Sequence, residues 1–190
     1  MDILIIGANS KIGQMLTEKL CNNNNVTALD QNKYKLEALK KKLNEKIEIL
    51  SMNISSTYNS KKLFNKFSKE NVDVIINCLD MHSEGNFLDT SIDDDLNLID
   101  MNIATTHTIT KLFLKYFMQK NNGYIINILN NYTENASITY LSTKDYIKQL
   151  TLSIKEEINV KKANVHICFY DKEIKDLNTF TDEVINNIKQ

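Results

Sequence analysis

The chain has 190 residues, enough for one domain with a sizeable core. Its 23 basic and 24 acidic side chains leave a net charge of −1, which offers no electrostatic footing for nucleic acid or a membrane surface. No apolar run is long enough to span a bilayer, and the first residues lack the pattern of a signal peptide, so the expected location is cytoplasmic.

The first strand is expected at Ile3–Ile6, running into the turn Gly7-Ala-Asn-Ser-Lys-Ile-Gly13. Ile12, Met15, Leu16 and Leu20 then share one face of a helix. Gly7 allows a tight turn off the strand, and Gly13 allows the helix to pack close to the sheet. The helix N-terminus so placed suits a pyrophosphate, and Ser10 adds a hydroxyl donor; the alternative is an ordinary strand–helix turn. The asparagine run Asn22 to Asn25 reads as a turn.

A second strand follows at Val26–Leu29, ending on Asp30. A carboxylate there can accept both hydroxyls of an adenosine ribose and repel a 2′-phosphate, which favours NAD(H) over NADP(H). The competing reading makes Asp30 the cap of the next helix, and Lys11 and Lys33 are nearby cations that soften the cofactor preference. That helix carries Leu36, Leu39 and Leu43, with Lys40 to Lys42 on a solvated face.

Further strands are expected at Ile47–Leu50, Val72–Cys78, Tyr124–Leu129 and Val165–Phe169. The helices between them include one marked by Leu63, Phe64 and Phe67, and a long one from Asp94 to Gln119. Another spans Tyr140 to Ile158, with Tyr146, Ile147, Leu150 and Ile154 on one stripe, and the last covers Thr179 to Ile188. Short, continuously apolar strands alternating with helices imply a parallel α/β sheet covered on both faces, with its site at the carboxyl ends of the strands. Cys21, Cys78 and Cys168, like His82, His107 and His166, are too scattered for a metal site or a disulfide framework. Tyr140 and Lys144 stand four apart on the expected helix, so a phenol and an ammonium share one face. A neighbouring ammonium favours the phenolate, which makes the tyrosine a usable acid/base.

In this order, these segments resemble the short-chain dehydrogenase/reductase family. Gly7 and Gly13 match the first and third glycines of its T-G-x-x-x-G-x-G turn, and Asn77-Cys-Leu-Asp80 stands where the family has N-N-A-G. Asn53-Ile54 replaces an Asp-Val pair near the adenine, and Asn102 matches an asparagine of the long helix. Gly123 to Asn130 looks like the strand G-x-I-V-N-I-S-S, and Tyr140 and Lys144 match the catalytic pair. The resemblance implies a Rossmann-like fold, three layers around a doubly wound parallel sheet of about six strands, in a single domain over residues 1–190.

It further implies a cofactor held by Gly7, Asn9, Ser10, Lys11, Ile12, Gly13, Asp30, Asn53, Ile54, Asn77, Tyr140 and Lys144. By the same resemblance, Tyr140 exchanges the proton of an alcohol or carbonyl substrate, Lys144 binds the nicotinamide ribose and tunes Tyr140, and Asn102 holds a water beside Lys144. Homo-oligomers in the family form through the fourth and fifth helices, which the apolar residues here permit.

The departures are specific. Lys11 replaces the middle glycine, where it either crowds or contacts a phosphate, and Asp80 replaces the glycine of N-N-A-G, which places a carboxylate near the cofactor. Asn130 stands in place of the catalytic serine; its amide can still donate to a carbonyl oxygen, and Thr133 and Ser137 are the other substitutes. Against the family pattern the C-terminal substrate cap is expected to be reduced, without a seventh strand. Two readings follow: an NAD(H)-dependent oxidoreductase, or a catalytically impaired dinucleotide-binding sensor or scaffold subunit.

Overall fold

The structure, a computed structural model, describes residues 1–129, 135–170 and 176–188. The strands are β1 (Asp2–Ile6), β2 (Asn25–Asp30), β3 (Glu48–Ser51), β4 (Val74–Asn77), β5 (Gly123–Ile128) and β6 (Val165–Tyr170). The helices are α1 (Lys11–Leu20), α2 (Lys33–Lys42), α3 (Thr57–Phe67), α4 (Ile92–Ile99), α5 (Thr106–Lys120), α6 (Ile138–Lys161) and α7 (Leu177–Ile188). Among the described residues the six strands form one parallel sheet in the order β3-β2-β1-β4-β5-β6.

Strand alternation builds the two halves of the core. Ile3 and Ile5 point to the side where Leu16, Leu20, Leu36, Leu39 and Val184 pack, from α1, α2 and α7. Leu4 and Ile6 point the other way, onto Leu63, Phe67, Ile109, Phe113 and Phe117 of α3 and α5. The expected α/β sheet with helices on both faces is therefore what forms. No helix among the described residues is long and apolar enough to cross a membrane.

Element starts follow from side-chain caps. Ser10, Asn32, Ser56, Ser91 and Ser137 each accept a backbone N–H from the first turn of the helix that follows. The cap of α2 is thus Asn32 and not Asp30. The long helix expected from Asp94 to Gln119 is real but not uniform: a π-helical stretch, Asp100–Thr105, separates α4 from α5. Its wider turn brings Asn102 and Thr105 into the interior. On α6 the expected apolar stripe is also corrected. The inward residues are Tyr140, Thr143, Ile147, Thr151 and Ile158, while Tyr146 is 40% exposed and meets His107 on the surface. The two threonines are tolerated inside because each hydroxyl finds a partner: Thr143 bonds Asn102 and the Tyr140 carbonyl, and Thr151 accepts from Asn127.

Candidate active site

The chain order reverses between β1 and β4, and a cleft of about 550 Å³ opens there at the carboxyl ends of the strands. Gly7 and Ser10, Asp30, Asn53 and Ile54, and Cys78 to Met81 line it, with Asn97, Asp100 and Met101 from α4 and the π stretch.

The turn after β1 is tied on both sides. Gly7 has φ +79°, and a Cβ there would sit 2.7 Å from the Cys78 carbonyl oxygen. A Cβ at Gly13 would sit 2.5 Å from the Gly7 oxygen, so α1 abuts the turn with no room for a methyl group. The Ser10 hydroxyl donates to the Gly7 oxygen and accepts the Gly13 N–H, so its proton serves the turn. The Asp30 carboxylate, partly exposed at the end of β2, accepts N–H bonds from Asn9 at 3.2 Å and Asn32 at 3.1 Å. It thereby locks the turn to β2 while remaining on the cleft wall. Lys11 is exposed on the first residue of α1, and Ile12 is buried in the core below it. Ile54 is buried with its carbonyl bonded by Thr105, and Asn53 is exposed beside it.

Asn77 does not reach this cleft. It is buried, donating to Thr106 and Asn127 and accepting the Leu79 N–H, which fixes the chain as it leaves β4. Asn102 grips the next residues: its amide accepts the Met81 N–H and donates to the Met81 carbonyl, both at 2.9 Å, and donates to Thr143. The segment beyond is stitched to the start of α6 by the Ser137 N–H to Ser83 oxygen bond and an isolated Glu84–Ala136 bridge.

Tyr140 lies under this stitched segment and is fully buried. Its hydroxyl donates to Asp80 Oδ2 at 3.1 Å, and the Lys144 ammonium pairs with Asp80 Oδ1. Lys144 Nζ also stands 4.6 Å from the centre of the Tyr140 ring, which the His82 ring meets edge-on at 4.7 Å. Burial holds the Lys144 ammonium below the ordinary lysine range, and the Asp80 carboxylate opposes that shift. The sequence brings Tyr140 and Lys144 together as expected, but the group between them is the Asp80 carboxylate, one oxygen to each. A small pocket of about 10 Å³, lined by Asn77, Asn102, Thr106, Asn127, Thr143 and Lys144, lies behind the pair. That is about the volume a single water centre needs. Asn130 and Thr133 lie outside the described residues. Ser137 is buried, with its hydroxyl accepting the Tyr140 N–H at the helix cap.

A doubly wound sheet with a glycine turn at its switch point, and a tyrosine and lysine one helical turn apart beside it, defines a nucleotide-cofactor oxidoreductase class. The sequence model of the short chain dehydrogenase family matches residues 2–169, and the chain belongs to that family of oxidoreductases, whose members bind nicotinamide dinucleotides. No curated protein sequence matches the chain. Among solved structures, serine dehydrogenase from Escherichia coli is similar at 19% identity and a TM-score of 0.87, over 100% of this chain and 92% of that one. A metagenomic short-chain oxidoreductase in complex with NADP gives 18% and 0.87, over 100% and 91%. A bulky-bulky ketone specific alcohol dehydrogenase from Comamonas testosteroni gives 18% and 0.86, over 99% and 82%. At these identities the likeness is one of fold.

The residues at the β1–β2 end of the cleft suit a dinucleotide: a glycine at positive φ, a capped helix start, a carboxylate on the cleft wall and the buried Ile54. At the other end of the cleft Asp80 engages both Tyr140 and Lys144. Sequence reasoning read Asp80 as a departure from the family glycine that puts a carboxylate near the cofactor, not as a partner of Tyr140 and Lys144. Met81, Asn97, Asp100 and Met101 carried no signal, because the π stretch that turns the last two toward the cleft has no sequence signature.

Proposed function

We propose that the chain is an NAD(H)-dependent oxidoreductase of the short-chain dehydrogenase type acting on an alcohol or carbonyl. The observation that carries this reading is the convergence of the Tyr140 hydroxyl and the Lys144 ammonium on one point beside the switch-point cleft. The nicotinamide, when bound, supplies or accepts the hydride. Tyr140 donates its hydroxyl proton to the carbonyl oxygen in reduction and accepts it in oxidation. Lys144 holds positive charge beside the phenolate that results, and Asn102 lines the small pocket beside Lys144. In this reading the amide of Asn130, in place of the family serine, donates a hydrogen bond to the carbonyl oxygen.

The preference for NAD(H) rests on Asp30, whose carboxylate on the cleft wall opposes a 2′-phosphate. A cytoplasmic location belongs to the same proposal and accords with three free thiols. So does a homo-oligomer through the fourth and fifth helices of the sequence reading, here α4–α5 and α6, where Leu96, Leu141 and Tyr146 are exposed apolar surface.

The second reading, a catalytically impaired dinucleotide binder, is favoured by the complete burial of Tyr140 and its bond to Asp80. Tyr140→Phe separates the two. We expect loss of turnover with retained NADH binding; unchanged turnover overturns the acid/base role. Calorimetric titration with NADH and NADPH tests the cofactor, and clearly tighter NADPH binding would contradict the part given to Asp30.

A further inference from the structure

We infer that Asp80 is a positioning residue that keeps Tyr140 in its phenol form and takes the Lys144 ammonium for itself, so that the pair is released for chemistry only when this carboxylate is displaced. The inference rests on the acid/base reading of Tyr140 and adds a control to it.

The placement of Asp80 is built. It follows β4 directly, between the Leu79 N–H held by Asn77 and the Met81 backbone held on both sides by Asn102. Its side chain is 6% exposed and that of Lys144 14%, so water screens the pair poorly. Among the described residues, Oδ2 accepts from the phenol and Oδ1 from the ammonium. Two consequences follow. A phenol that donates to a carboxylate is held protonated, because a phenolate there would face a second negative charge. An ammonium neutralised by that carboxylate no longer offers its full charge to the phenolate or to an anionic cofactor. The titratable groups facing Tyr140 among the described residues are Asp80 and His82 from the segment after β4, with Glu84 beside His82, and Lys144 from its own helix. Of these, Asp80 alone touches both the phenol oxygen and the ammonium.

In reduction the phenol proton goes to the carbonyl oxygen while hydride from the cofactor goes to its carbon, leaving a phenolate. That step requires the phenol O–H to turn from Asp80 to the substrate. Asp80 therefore competes with substrate for Tyr140 and with the cofactor for Lys144.

The test is an ultraviolet titration of tyrosinate in the full chain, taken for each protein as the difference from its Tyr140→Phe counterpart. In Asp80→Asn we expect the Tyr140 signal to appear at lower pH by about one unit or more, with Tyr140 and Lys144 titrating as a pair. Asp80→Gly, which leaves room for water around Lys144, should give the same direction. Asp80→Glu, which keeps the charge, should restore most of the original profile. NADH affinity should rise about tenfold in Asp80→Asn, since one negative charge leaves the cleft. An unchanged tyrosinate titration in either folded uncharged variant overturns the inference. Absence of NADH binding in every variant would instead overturn the functional reading, while the titration still decides the role of Asp80.

Discussion

Replacing Gly13 with alanine sets two effects of opposite sign against each other. Alanine is favoured over glycine by about 1 kcal/mol in a helix, so propensity alone forecasts a more stable protein. Geometry forecasts the reverse. The new Cβ would stand 2.5 Å from the Gly7 oxygen, 2.8 Å from the Ala8 Cα and 3.0 Å from Ser10 Oγ. Unstrained carbon contacts begin near 3.5 Å, so α1 must move by about 1 Å against backbone atoms that cannot rotate away. That shift disturbs the packing of Leu16 and Leu20 and loosens the Ser10 cap. Overpacking of this kind costs about 1–3 kcal/mol, and a weakened cap about 1 kcal/mol more. After the propensity gain, the net loss is about 1–3 kcal/mol, a fall of roughly 3–9 °C in Tm for a chain of this size. Urea denaturation and a thermal melt read it directly, and NADH affinity should fall with it because the same turn faces the cleft. A Gly13→Ala protein as stable as the parent, or more so, would refute the tight seating of α1 on the turn.

Asn102→Ala should cost about 1–3 kcal/mol, because the Met81 N–H and carbonyl lose their partner inside the protein. By loosening Asp80, it should also move the Tyr140 titration to lower pH; a stability change under about 0.5 kcal/mol would show that the clamp is dispensable. The Asp73 carboxyl is raised by burial, but the Lys120 ammonium at 2.7 Å and the Asp2 N–H outweigh this and hold it below the usual carboxylate range. A depressed carboxyl stabilises the fold above its unfolded pKa and loses that contribution as pH falls through its folded value. Asp73→Asn should therefore be less stable than the parent at neutral pH, with the gap closing below about pH 4. A gap that stays constant down to pH 2 would exclude this origin.

Much of the fold was legible because its signals are local. Ile3–Ile6 is apolar at every position, as a strand covered on both faces must be, and the helices between strands show apolar residues at helical spacing. The glycine turn and the Tyr140–Lys144 spacing were equally legible, since each depends on a few neighbouring residues. Asp30 was legible as a cleft residue, although its bonds to Asn9 and Asn32 depend on how β2 meets the turn. The pattern located Asn77 but not its partners. Its position in the motif is right, but the hydrogen bonds to Thr106 and Asn127 come from two other elements and hold it inside.

The sequence by itself determined the order of strands and helices, the turn at the first glycine and the placement of Tyr140 and Lys144 one helical turn apart. These follow from periodicity and from contacts within one helical turn. Only the tertiary structure decided what stands between Tyr140 and Lys144. Asp80 is 60 residues from Tyr140 and 64 from Lys144 along the chain. It reaches them because the parallel sheet sets the end of β4 beside the start of α6, and because a π turn lets Asn102 clamp the backbone next to it. Long-range placement of this kind depends on many contacts at once, and that is why a family motif read residue by residue shows the carboxylate but not what it holds.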